Sequence, residues 1–281
     1  MRTLILLALL WGVSLQPAAA DVFFVEEVVN PGLGKKKKGA RKTVKKVYIK
    51  GKRQTVESRI EADKKTAKTL KKQGQPLQTS LILHLDKRDI YEVDLDKYTY
   101  VQAKVPPAGK AVAKKVSVPK SNVRFRVQES PKDTLRIAGL LCRKAVAKMS
   151  VGYDKNPKTG QYKKENRYTY TVWLAKDFSG FKEIQAFQQL HKNQTSYPAL
   201  VDGGISSLAD KIQDFDQLAD QLKGLEGFPV RSSIVAEVYY PSKKKSTQVF
   251  RLDREVISYR HAALPDSVFL PSDRLTRLTD E

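Results

Sequence analysis

Apolar and polar residues alternate with period two along most of this chain, the pattern of strands with one buried face. Val123, Phe125 and Val127 alternate with Arg124, Arg126 and Gln128. Tyr168, Tyr170, Val172 and Leu174 alternate with Arg167, Thr169, Thr171 and Trp173. Leu81, Leu83 and Leu85 share one face of a run over 79–86, with His84 on the other. A run over 22–29 is apolar apart from Glu26 and Glu27. The runs 43–50 and 53–62 flank Gly51-Lys52, and 89–95 and 98–104 flank Asp96-Lys97, so each pair predicts a hairpin. A closing hairpin is expected from 230–240 and 247–260 around 242–246. The stretch 135–151 reads as one long bent strand or two short ones, kinked at Gly139. The total is about eleven strands.

The period changes late in the chain. Phe181, Ile184, Phe187 and His191 fall on one side of a helix over 181–192. Leu208, Ile212, Phe215, Leu218 and Leu222 form an amphipathic stripe over 207–223, with Ser207 and Asp210 as a capping box and Gly224 as the stop. A weaker lysine-rich candidate covers 62–73, anchored by Ala67 and Leu70. Lys, Pro and Gly enrichment predicts loops over 31–42, 104–121 and 152–166. The fold class is therefore mainly β (α+β), an antiparallel sheet whose apolar face needs a cover that two or three helices supply.

Composition sharpens the reading of partners more than of fold. The chain has 281 residues, 52 basic and 30 acidic, for a net charge of +22. Residues 31–74 hold 17 basic and 3 acidic residues, whereas 201–230 hold 2 basic and 6 acidic. The densest run is Lys35, Lys36, Lys37 and Lys38, followed by Arg41, Lys42, Lys45 and Lys46. Such a run either meets an anionic surface or is a solvated loop. Residues 1–20 read as a signal peptide: Arg2, an apolar stretch over 4–15, then Ala18-Ala19-Ala20 before Asp21. The expected location is periplasmic or secreted, with no lipid anchor and no transmembrane helix. The one cysteine, Cys142, excludes an intramolecular disulfide and a thiolate metal cluster.

Catalytic patterns are not evident. There is no nucleophile elbow, phosphate-binding glycine loop or metal-binding histidine pair. Glu26 and Glu27 are neighbours in a strand, so they point to opposite faces and cannot act together on one substrate. His84, His191 and His261 are far apart in sequence and read as structural or exposed. No enzyme activity, cofactor or metal is expected. Nucleic-acid signatures are missing too, so no nucleic-acid partner is expected.

Several dispersed segments carry a resemblance. They are 89–94 (Asp-Ile-Tyr-Glu-Val-Asp) with Lys97-Tyr98, 137–143 (Ile-Ala-Gly-Leu-Leu-Cys-Arg), 172–175 (Val-Trp-Leu-Ala), 227–230 (Gly-Phe-Pro-Val), and the tail Leu264-Pro265 with 269–271 (Phe-Leu-Pro). In order and spacing the chain resembles uncharacterised exported bacterial families distantly similar to the lipoprotein-localisation carriers (LolA/LolB-like). The resemblance implies a single domain over 21–281, a strongly curved, unclosed antiparallel half-barrel covered by helices, with an apolar hollow for acyl chains. It supplies no catalytic residues. Phe215 and Leu218 on the late helix, facing Tyr168, Tyr170 and Leu174 on the sheet, are then the expected ligand-binding residues. The expected function is a periplasmic binding or carrier protein for an anionic amphiphile: a phospholipid, lipopolysaccharide or lipoprotein acyl chain. The alternatives are an interaction or envelope-stress module with a packed core and, third, a hydrolase without a recognisable motif. The lysines from Lys35 to Lys46 are the expected contact with an anionic membrane.

Overall fold

The computed structural model describes residues 21–32, 39–108, 123–195 and 225–279. The elements in chain order are β1 (Val22–Asn30), β2 (Arg41–Lys50), β3 (Arg53–Ala62), α1 (Lys64–Lys72), β4 (Gln78–His84), β5 (Asp89–Asp94), β6 (Thr99–Lys104), β7 (Val123–Ile137), β8 (Leu140–Lys155), β9 (Tyr162–Ala175), α2 (Phe181–Gln194), β10 (Phe228–Tyr240), β11 (Lys245–His261) and β12 (Thr276–Leu278). Among the described residues, twelve strands form one open, curved sheet in the order β12-β6-β5-β4-β3-β2-β1-β11-β10-β9-β8-β7. All pairings are antiparallel except that of β12 with β6. The mainly β, antiparallel architecture is the one that the period-two pattern predicts.

The chain meanders through β1 to β6, then builds the other half from long strands and returns β11 to the side of β1. Period-two alternation and the pairing register define two faces. Phe24, Val47, Val56 and Leu81 lie in one cross-strand row. They face α2, whose Ile184 and Phe187 are buried in the same cluster, so this is the inner face. Carried through β11 and β10, the register puts Ile234, Tyr170 and Ala147 on that same face. They belong to a second cluster with Met149, Val151, Tyr168, Val172 and Leu174.

The outer face of β2–β5 is covered too. The C-terminal segment crosses it: the Thr55 hydroxyl donates to the Val268 carbonyl (2.9 Å), and His84 Nε2 donates to the Phe269 carbonyl (2.7 Å). Phe269 is fully buried there, and the chain then adds β12 beside β6. Helix α1 starts at Asp63, whose carboxylate accepts from the Lys65 and Thr66 amides, and anchors through buried Leu70.

Three expectations need correcting. The stretch 135–151 is not one bent strand: it divides between two strands at Gly139, the alternative expected, but at a full reversal and not a kink. The chain reverses at Ala138 and Gly139, which both have positive φ (48° and 81°), a two-residue turn that matches the twist of the flanking strands. Apolar residues on both sides hide that turn. The segment 152–166 is mostly strand, with only 156–161 forming the connection between β8 and β9. Its lysines pair with aromatic side chains across the strands: Lys155 Nζ lies 6.0 Å from the Tyr162 ring, and Lys164 Nζ 5.8 Å from Tyr153. Likewise Arg41 and Lys42 are in β2, not in a loop. The weak helix over 62–73 is present as α1, and that over 181–192 as α2. The helix expected over 207–223 lies outside the described residues, as do residues 1–20 and 109–121.

Candidate functional site

Two adjacent cross-strand rows on the inner face differ in chemistry. One runs Phe24, Val47, Val56, Leu81, Glu92, Val101, Leu278. The other runs Glu26, Lys45, Ser58, Thr79, Asp94, Thr99. An inner face that alternation would fill with large apolar groups here carries short polar ones. The space they leave is a hollow of about 700 Å³ over β2–β6, with Val56, Leu81, Val101 and Leu278 among its apolar walls. Lys45, Ser58, Thr79 and Thr99 line the polar side, and the Glu92 carboxylate joins them from the row of Leu81 and Val101. Asp94 and Lys97, an ion pair at 3.3 Å, line it as well. Lys97 is largely exposed and marks the rim, whereas Val56 is buried and marks the depth.

At the inner end of the polar row sits a buried charge cluster. Arg254 Nε donates to Glu26 Oε2 at 2.6 Å, and both side chains are under 5% exposed. Lys45 Nζ lies 3.5 Å from Glu26 Oε1. Arg254 Nη1 donates to the Pro229 carbonyl at 2.7 Å, while Nη2 is buried without a hydrogen-bond partner among the described residues. Burial pushes the Glu26 carboxyl up, but the charges of Arg254 and Lys45 and their hydrogen bonds outweigh it and hold the carboxyl below its ordinary value. Two cations share one carboxylate, so the cluster carries a surplus positive charge beside the hollow. Lys45 belongs to both.

The expected site residues fall elsewhere or in several places. Tyr168, Tyr170 and Leu174 are buried in the second cluster, and none lines the 700 Å³ hollow. Phe215 and Leu218 lie outside the described residues, as do Lys35, Lys36, Lys37 and Lys38. The remaining basic residues of β2 divide between faces. Lys42 pairs on the outer face with Glu27 and Glu61 (3.1 and 3.0 Å), and Lys46 with Glu57 (3.5 Å). Lys45 turns inward to Glu26, and Arg41 sits at the start of the strand opposite Asn30. Glu26 and Glu27 do point to opposite faces, as strand geometry requires. The residues missed were Ser58, Thr79 and Thr99. Their signal was short polar side chains at positions whose neighbours predict a buried face.

The sequence matches no protein-family model and no curated protein. The site is therefore read from its own geometry. Among the described residues, no group of three or more His, Cys, Asp or Glu side chains is placed to hold a metal ion, and no helix is long and apolar enough to cross a membrane. Cys142 is a buried free thiol whose pKa burial pushes up, which makes it a poor nucleophile. His191 is buried on α2, and desolvation lowers its pKa.

Proposed function

We propose that this is an exported binding or carrier protein whose inner-face hollow takes the apolar part of an anionic amphiphile, a fatty-acid-like or phospholipid-type ligand. The observation that carries this reading is the hollow itself. Its volume of about 700 Å³ lies inside the range of small-molecule sites, and Val56, Leu81, Val101 and Leu278 give it an apolar wall beside a polar one. The surplus charge of the Glu26–Arg254–Lys45 cluster favours a carboxylate or phosphate at the polar side, with the acyl part against Val56, Leu81 and Val101. A rim at Lys97 gives the ligand a way in. The packed half of the sheet then serves as scaffold.

Native mass spectrometry of protein prepared from an envelope fraction without detergent tests the proposal. One bound amphiphile per chain is the expected mass, recoverable by solvent extraction. A bare polypeptide mass, unchanged after incubation with fatty acid or phosphatidylglycerol, would overturn it and leave the interaction-module reading.

A further inference from the structure

Among the described residues, the lysines of β2 are paired with carboxylates, and an array of cations without such partners lies elsewhere. On the outer face of the sheet, two cross-strand rows run Arg124, Ser150, Arg167 and Arg126, Lys148, Thr169. Four cations and two hydroxyls thus form an array over three neighbouring strands. Strand spacing is ~4.8 Å and alternate residues along a strand are ~7 Å apart, so the whole array is roughly 10 Å across. These six residues line a shallow depression of about 250 Å³, and no carboxylate is among its lining residues.

Arg126 and Lys148 are directly opposite each other, a like-charge pair that costs stability where nothing neutralises it. Among the described residues, no carboxylate lies within 4.0 Å of Arg124, Arg126 or Lys148. Arg167 is the fixed corner. Its Nε and Nη2 both donate to Glu165 Oε2 (3.1 and 3.0 Å), and its guanidinium lies 3.4 Å from the centre of the Tyr239 ring. Glu165 and Glu237 both flank Arg167, so the surplus is concentrated on the β7 and β8 side of the array. The lysines of β2 offer the opposite case. Lys42 and Lys46 are already satisfied by Glu27, Glu61 and Glu57.

We infer that the outer face of β7–β9 is a docking surface for the phosphates of an anionic phospholipid membrane, with Arg124, Arg126 and Lys148 as the contacting residues. The depression is open, so it cannot desolvate and hold a free anion. A membrane instead presents many phosphates at once, and weak contacts of this kind add along it. Hydroxyls between the cations supply donors to phosphate oxygens. The surface is independent of the hollow, and an empty hollow leaves it intact.

The test is co-sedimentation with vesicles of phosphatidylglycerol and phosphatidylcholine, against vesicles of phosphatidylcholine alone. Wild type should bind only the anionic vesicles and be released by salt. The triple change Arg124→Gln, Arg126→Gln, Lys148→Gln should weaken partition about 100-fold at low salt. The double change Lys42→Gln, Lys46→Gln should alter it by less than about threefold. Circular dichroism and the melting temperature confirm that both variants are folded. Equal binding by the triple variant and wild type, or equal binding to both vesicle types, overturns the inference. Release by inorganic phosphate well beyond that by chloride of the same ionic strength also overturns it, because the site would then belong to a soluble oxyanion.

Discussion

Leu81 and Ile234 occupy the same face of the same sheet, but one lines a hollow and the other fills a core. Around Ile234 the inner positions of β8–β10 are Met149, Tyr168, Tyr170 and Ala236, with Phe250 against them. Around Leu81 the corresponding positions include Ser58, Thr79 and Thr99. Long and aromatic side chains meet across the β8–β10 half, whereas in the β1–β6 half they meet under α2 and give way to short hydroxyl side chains along the hollow. Side-chain length along the cross-strand rows distinguishes the halves. Between the two stands the Glu26–Arg254 pair, on β1 and β11, where the halves of the sheet join.

That junction should give the largest effect. Arg254→Met leaves Glu26 buried with only Lys45, and loss of one member of a buried pair costs about 3–5 kcal/mol. Urea denaturation measures it. A loss under about 1 kcal/mol would mean that the junction is solvated and that the two halves are not divided by a dry ion pair.

A matched pair of truncations comes next. Ile234→Ala empties a packed site and should cost about 2–5 kcal/mol. Leu81→Ala enlarges a space that already exists, so only part of the transfer term is lost, about 1–2 kcal/mol. Equal costs would erase the contrast between packed and hollow halves.

A smaller effect is expected from α2, the helix that covers the hollow's half. His191 is buried and neutral because desolvation lowers its pKa from the ordinary 6.5. The unfolded chain therefore binds a proton that the folded chain refuses. Stability from this group is fully present above about pH 6.5 and declines as the pH falls toward the folded pKa. His191→Gln should flatten that part of the stability profile. An unchanged slope would show that α2 is looser on the sheet than its burial implies.

Much of the half built from β1–β6 was legible in the sequence because its turns announce themselves. Gly51-Lys52 and Asp96-Lys97 stand between clean alternations, and β3 begins and ends where the pattern says. Gly139 marked the β7–β8 break, but that the chain reverses there was not legible, since Ala138-Gly139 sits in an apolar run and the reversal rests on the positive φ of both residues. In 156–161 the composition was read correctly, but the flanking lysines were mistaken for loop. The site depends on contacts that no local pattern carries. Glu26 and Arg254 are 228 residues apart, and Leu278 reaches the hollow only because the tail crosses the outer face and pairs in parallel with β6. Hydropathy gave the inner face, but a hollow is a volume, and it is fixed by which strands become neighbours.

The most direct measurement of the central claim is titration of the folded protein with a fluorescent fatty acid, comparing wild type with Ser58→Phe. Ser58 lies on the polar row inside the hollow, where a phenyl ring occupies the space proposed for the acyl chain. Trp173, the only tryptophan outside residues 1–20, lies on the outer face beside Lys144 and reports that both proteins are folded. Saturable binding at one ligand per chain is expected for wild type, and at least a tenfold loss in Ser58→Phe with stability retained. Undiminished binding by Ser58→Phe, or no saturable binding by wild type, would contradict it.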